Sequence, residues 1–331
     1  MRKAKIGAIQ WKELPMEGSC YPFGAQYVND VAHIMDRQVK PQLEVTLSLL
    51  DEAGQAGLDI VTTCEDICAV SVYFADVTEK NIFPALAEAS AAYAEARLAE
   101  KAKKYSMYIV GCYFKRYADG IYNVASLFDR GGCIIGEYRK SHLPANELWQ
   151  VKAGDALDVF ETDFGKVGIL ICYDMMYPEP AHILSLKGAE IVFHPTLGYG
   201  WYDSIGEATL RTRANDGSIY IVVAKNHRHN AAGRSGVIDY WGQVLADAGF
   251  YANKVVWQEV DLDEPKVQPD WFYQTQMSGR GDVAGRVLIE RRLDMYGLLA
   301  DETLAARLEA PPHKRQLALM RMAADGEIRW G

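Results

Sequence analysis

Three residues of this chain pair reactive side chains with one shared setting. Glu65 closes the apolar run LDIVTTCED (58–66), Lys140 closes CIIGEYRK (133–140), and Cys172 closes VGILIC (167–172). A buried free cysteine is by itself an ordinary core residue. A thiol that attacks carbon needs a proton acceptor, a cationic or N–H donor for the developing oxyanion, and a dry pocket. A carboxylate, an ammonium and a thiol meeting at strand ends would supply base, oxyanion donor and nucleophile. Histidine, the usual partner of a thiol, offers less. His142 follows Lys140 in RKSHL, His194 lies in FHPT, and His227 and His229 flank Arg228 in a polar stretch. His194, His227 and His229 read first as structural or solvated.

The surrounding pattern says which elements must carry these residues. KIGAIQW (5–11), LDIVTTCED, MYIVGCYF (107–114), EIVFHPT (190–196), IYIVVAKN (219–226) and KVVWQEVDL (254–262) read as strands. QLEVTLSLLDEAGQAG (42–57), the Ala-rich stretch 85–105, and segments near 178–187 and 204–216 read as helices. Arg130-Gly131-Gly132 and Gly242 each mark a hairpin. Strands separated by helices, with hairpins among them, indicate an α/β fold with mixed sheets. Ligand sites of such sheets collect at strand ends. One domain is expected to about residue 285. Residues 12–40 are expected to be a long irregular insertion, and 286–331 a C-terminal extension with helical stretches and a possible oligomer contact.

Composition narrows the function classes. The 331 residues are 49% hydrophobic and carry a formal net charge of −9, which argues against a nucleic-acid or anionic-membrane surface. No apolar run approaches the roughly 18 residues needed to span a bilayer. The start, MRKAKIGAIQWKEL, has neither an apolar h-region nor a small-residue cleavage site, so no signal peptide is expected. Six cysteines without a C-x-x-C pair suggest reduced thiols, a cytoplasmic protein and no structural zinc.

The Glu65 strand end, YRKSHL (138–143), ICYDMMYPE (171–179), RTRANDGSIYIVVAKN (211–226) and GRSGVIDYWGQVLADAG (233–249) follow one another in a recognisable order. Through them the chain resembles the nitrilase superfamily, the carbon–nitrogen hydrolases, over roughly residues 4–262. The resemblance implies an α-β-β-α sandwich that pairs through surface helices into a homodimer or higher homo-oligomer. It implies a Glu–Lys–Cys trio at Glu65, Lys140 and Cys172, with Glu147 as the second glutamate of amidase members. Lys140 and the backbone N–H of Tyr173 would hold the oxyanion, with no metal or organic cofactor. The implied reaction cleaves a non-peptide C–N bond of a small amide or N-carbamoyl compound through a Cys172 thioester, releasing ammonia or an amine. Tyr173, His194 and Thr196 are candidate substrate contacts. Cys-Tyr-Asp resembles amidase and carbamoylase members more than nitrilases proper. Met175 and Met176 occupy the place of arginines typical of the family, which weakens an N-carbamoyl-amino-acid reading. Cys64 stands where the family usually has proline. A nitrilase, an acyl transferase or a noncatalytic assembly protein on the same fold remain alternatives.

Overall fold

The computed structural model describes residues 2–14, 30–73, 81–144, 147–198, 204–226, 233–264 and 292–300. In chain order the elements are β1 (Lys3–Gln10), α1 (Val31–Ile34), a π-helical stretch Met35–Val39, α2 (Lys40–Gln55), β2 (Ile60–Thr62), α3 (Phe83–Tyr105), β3 (Tyr108–Tyr117), β4 (Gly120–Phe128) and β5 (Ile134–Arg139). The second half holds β6 (Val159–Glu161), β7 (Lys166–Ile169), α4 (Pro178–Leu186), β8 (Ile191–Thr196), α5 (Ser204–Gly217), β9 (Tyr220–Lys225), β10 (Gly236–Ile238), β11 (Val244–Asp247) and β12 (Lys254–Asp261).

These strands form two six-stranded sheets, ordered β12-β1-β2-β3-β4-β5 and β11-β10-β9-β8-β7-β6. Each has a parallel centre, β1-β2-β3 in one and β7-β8-β9 in the other, with antiparallel strands outside. The sheets face one another through β1 and β2 against β8, β9 and β10, while α2 and α3 cover the first sheet and α4 and α5 the second. The result is an α-β-β-α sandwich. The parallel strands are apolar on both faces because both are covered; Tyr220–Lys225 is buried throughout.

The Ala-rich α3 lies close to its neighbours because its inward side is small. Ala87, Ala91, Ala94, Leu98 and Ala102 are all buried. Where α2 meets the end of α3, a Cβ at Gly54 would stand 2.1 Å from the Tyr105 ring, so only glycine permits that approach. Asp51 accepts from Lys101 (2.6 Å), Lys104 (3.1 Å) and Tyr105 (2.7 Å), tying the two helices together.

Two expectations need correction, and one strand had no expectation behind it. The first helix starts at Val31, not 42: Asp30 caps it by accepting from the His33 N–H (3.2 Å), so the last ten residues of the supposed irregular stretch 12–40 are helical. The strand expected over 58–66 ends at Thr62, which leaves Glu65 in the turn beyond it. The short edge strand β6 was not legible at all. Residues 15–29 and the boundary near 285 lie outside the described residues. Of the tail, 292–300 form two short helical turns, Leu293–Met295 and Gly297–Ala300.

Candidate active site

Beyond β2 the chain is pinned to β3, with the Thr63 N–H on Val110 O (2.9 Å) and the Ile67 N–H on Cys112 O (3.1 Å). Asp66, between them, and Ala69, just beyond, adopt left-handed backbone, φ +51° and +53°, a conformation that costs energy outside glycine. The Asp66 carboxylate holds this turn by accepting from the N–H groups of Val70 (3.0 Å) and Ser71 (2.8 Å). Glu65 is thereby turned into the interior, 1% exposed. Its Oε1 accepts from Lys140 Nζ (2.9 Å) and Asn123 Nδ2 (2.8 Å), and its Oε2 from the Leu197 N–H (2.7 Å). Burial pushes its pKa up, but the Lys140 charge and the three donors outweigh burial and hold Glu65 below the ordinary glutamate range.

Lys140 follows β5, its N–H on Asn123 O (2.9 Å) and its carbonyl accepting from Gly154 (2.8 Å). Its fully buried ammonium bridges Glu65 Oε1 (2.9 Å) and Glu147 Oε1 (2.6 Å). The two carboxylates outweigh burial and keep it charged, well above the usual lysine value. Glu147 opens a short helical turn whose later N–H groups, from Gln150 and Val151, return to its carbonyl. Its Oε2 is buried and has no hydrogen-bond partner among the described residues. Burial raises Glu147 to about 7, with Glu65 pushing the same way and Lys140 opposing. One glutamate is thus held ionised and its neighbour is poised near neutrality.

Cys172 stands at the start of a one-turn helix, Cys172–Met176, with φ +46°. Strained backbone at a strand-to-helix corner is a recurrent way to present a nucleophile. Burial and the nearby Glu65 raise its pKa, while Lys140, the Thr196 hydroxyl and the Gly198 N–H work the other way; the thiol is protonated at neutral pH. The corner is held by Asp174, which is fully buried. Its Oδ2 accepts from Tyr138 OH (2.8 Å) and the Ile171 N–H (2.9 Å). Its Oδ1 accepts from Ser141 Oγ (2.9 Å) and the His142 N–H (2.8 Å), and lies 3.0 Å from His142 Nδ1. Asp174 therefore fastens the chain on both sides of Lys140 to the chain on both sides of Cys172.

Glu65, Lys140 and Glu147 come together as one buried array, with Cys172 close enough to feel the charges of Glu65 and Lys140. Thr196 ends β8 beside the thiol. Tyr173 lies edge-on to Tyr177 (5.7 Å), which stacks on His142 (4.3 Å). His194 lies fully buried, its Nδ1 3.1 Å from the Leu170 carbonyl, so its ring serves the packing of β8 against the end of β7. His227 and His229 lie outside the described residues. Asn123 and the Leu197 N–H were missed by sequence reasoning. An asparagine inside the apolar run YNVASLF was a usable signal for the first; nothing in the sequence marks the second. Cys64, Cys68, Cys112, Cys133 and Cys172 are free thiols. No group of three or more His, Cys, Asp or Glu side chains among the described residues is placed to hold a metal, and none of the described helices is long and apolar enough to cross a membrane.

A family model described as carbon-nitrogen hydrolase matches residues 31–267. The chain belongs to the carbon–nitrogen hydrolase family. Mouse omega-amidase NIT2 is 32% identical over 235 residues, covering 65% of this chain and 81% of the relative. Omega-amidase NIT2-B of Xenopus laevis is 31% identical over 240 residues, covering 66% and 83%. Among solved structures, a carbon-nitrogen hydrolase from Helicobacter pylori G27 superposes with a TM-score of 0.71 at 22% identity, covering 91% of this chain and 99% of that one. A mutant of the Nesterenkonia AN1 amidase from the nitrilase superfamily superposes with a TM-score of 0.65 at 18% identity, covering 89% and 97%. At these identities the two structures speak for the fold. The α-β-β-α sandwich of this carbon–nitrogen hydrolase is theirs.

Proposed function

We propose that this carbon–nitrogen hydrolase is an amidohydrolase that cleaves the terminal amide of a small molecule through a thioester on Cys172. The observation that carries the reading is the buried Glu65–Lys140–Glu147 array set against a thiol on strained backbone. Glu65, held ionised, accepts the thiol proton as sulfur bonds to the amide carbon. The oxyanion is held by Lys140 and the N–H of Tyr173, which lies in the first turn after β7, where helical N–H groups lack intrahelical partners. One such donor is typically worth about 100- to 1000-fold in rate. As the intermediate collapses, the C–N bond breaks and the leaving nitrogen takes the proton from Glu65. Ammonia departs and the thioester remains. Water then adds to the thioester carbon, giving a proton to Glu65. Collapse breaks the C–S bond, and the thiolate recovers that proton.

Glu147 has a buried oxygen without a hydrogen-bond partner among the described residues and a pKa raised to about 7, so it can donate to or accept from the substrate nitrogen or the incoming water. The curated relatives are called omega-amidases, which favours amides over nitriles and N-carbamoyl compounds. A further solved form of the Nesterenkonia amidase is described as carrying the acetamide moiety of fluoroacetamide on its active site cysteine, in keeping with a thiol nucleophile here. The test is ammonia release from matched panels of aliphatic amides, N-carbamoyl compounds and nitriles by the wild type and Cys172→Ala. Release from amides alone, abolished in the variant, is expected. Release that survives Cys172→Ala would overturn the nucleophile, and release from nitriles alone would overturn the substrate class.

A further inference from the structure

A second lysine stands behind the site. Lys225 ends β9 and is 1% exposed. Its backbone is locked to the start of the next hairpin, its N–H on Ser235 Oγ (2.9 Å) and its carbonyl accepting from the same hydroxyl (3.2 Å). The Ser235 N–H is in turn held by Gln10 Oε1 (2.6 Å) from β1. From this fixed base Lys225 Nζ donates to the carbonyl of Leu197.

That carbonyl belongs to the peptide joining Leu197 to Gly198. In a trans peptide the C=O and N–H point in opposite directions. An ammonium on the carbonyl side therefore turns the Gly198 N–H away from Lys225, and the backbone hydrogen bond of Gly198 to Cys172 puts the thiol on that other side. A Cβ built on Gly198 would be 3.9 Å from Cys172 Sγ. The preceding peptide supplies the Leu197 N–H, 2.7 Å from Glu65 Oε2. Two successive N–H groups thus serve the base and the nucleophile, and both are steadied by one cation on the carbonyl between them. A charge on a carbonyl also strengthens its own N–H as a donor, because linked hydrogen bonds polarise one another where the surroundings are dry.

We propose that Lys225 is a positioning residue for this reaction, acting through the 197–198 peptide to hold the Gly198 N–H on Cys172 and the Leu197 N–H on Glu65. This rests on the reading of Cys172 as the nucleophile.

The test is the pH dependence of Cys172 alkylation by iodoacetamide, read by peptide mass, alongside kcat and KM, in the full-length wild type and Lys225→Met. The methionine keeps the length and packing of the stem and removes the ammonium. The alkylation midpoint is expected to rise by about one pH unit, a tenfold loss of thiolate at fixed pH, with kcat down by a similar factor and KM within about twofold. Superimposable alkylation profiles with unchanged kcat overturn the proposal, whatever the variant does to thermal stability. Should Lys225→Met not fold, Lys225→Gln offers a neutral donor to the same carbonyl. A smaller shift in the same direction supports the proposal and an unmoved midpoint overturns it. A wild-type enzyme that stays active after complete alkylation of Cys172 overturns the nucleophile itself, which separates that failure from failure of the Lys225 role.

Discussion

Asp174→Asn changes one heavy atom and tests how the site is held together. Asp174 faces only donors: Tyr138 OH and the Ile171 N–H on one oxygen, Ser141 Oγ and the His142 N–H on the other, with His142 Nδ1 alongside. An asparagine must put its NH2 group on one side, and on either side it meets a backbone N–H that cannot turn away. One charge-assisted hydrogen bond is lost, at about 1.5–3 kcal/mol, and a buried donor is left unsatisfied at about 1–3 kcal/mol. A loss of about 3 kcal/mol in stability corresponds to a fall in Tm of roughly 4–6 °C for a chain of this length. The assay is a thermal melt at fixed scan rate and protein concentration, with kcat measured well below the transition. Activity should fall as well, because the same carboxylate anchors the chain at Ser141 and His142, beyond Lys140, and at Ile171, before Cys172. Asp174 also sets an acid dependence. Hydrogen bonds hold Asp174 below its ordinary value despite burial. Its contribution is therefore complete above a pH of about 4, the unfolded value, and is lost as pH falls through the lower native one. The asparagine variant should lack that part of the wild type's acid sensitivity. A melt within 1 °C of wild type with full kcat would refute the view that Asp174 couples the lysine strand to the nucleophile turn.

Further outcomes follow from the buried groups. Glu147 is raised to about 7 by burial, so its neutral form contributes stability that is whole below the free glutamate value, about 4.3, and is lost as pH rises through about 7. The Tm of Glu147→Gln should therefore gain on that of the wild type between those pH values; a constant difference would show that Glu147 does not titrate there. A thiol reagent with peptide mapping should find Cys133, which is exposed, and Cys172. It should miss Cys64, Cys68 and Cys112 until the protein unfolds, since all three are fully enclosed where Cys172 keeps 9% of its surface exposed, and burial pushes Cys64 up to about 12. Native labelling of Cys64, whose Sγ donates to the Ile9 carbonyl (3.2 Å), would contradict the packing beside Glu65.

Much of the site was legible because it follows from strand ends. Lys140 and Cys172 each end an apolar run, and Glu65 lies just past one, and two facing sheets can bring such strand ends to one edge. What was not legible depends on partners distant in the sequence. Glu65 is held by a side chain 58 residues away and a backbone N–H 132 residues away, and no local pattern marks either. Lys225 reads as the polar end of a strand, and its burial arises from the sheet packing that covers it. Asp174 could be read as a turn former, which it is, but its hold on Ser141 and His142 needed the structure. The left-handed backbone of Cys172 is hidden by its residue type, since nothing but glycine or asparagine would have signalled it. The helix from Val31 was obscured because VAHIMDRQV mixes β-branched and polar residues without a clean helical stripe.

The most direct measurement is the mass of the Cys172 peptide after an acid quench during steady-state turnover of an amide that releases ammonia. A thioester predicts an increment equal to the acyl group on Cys172, removable by hydroxylamine and absent when the quench precedes substrate. An unmodified Cys172 throughout turnover, with ammonia release preserved in Cys172→Ala, would contradict covalent catalysis at this residue.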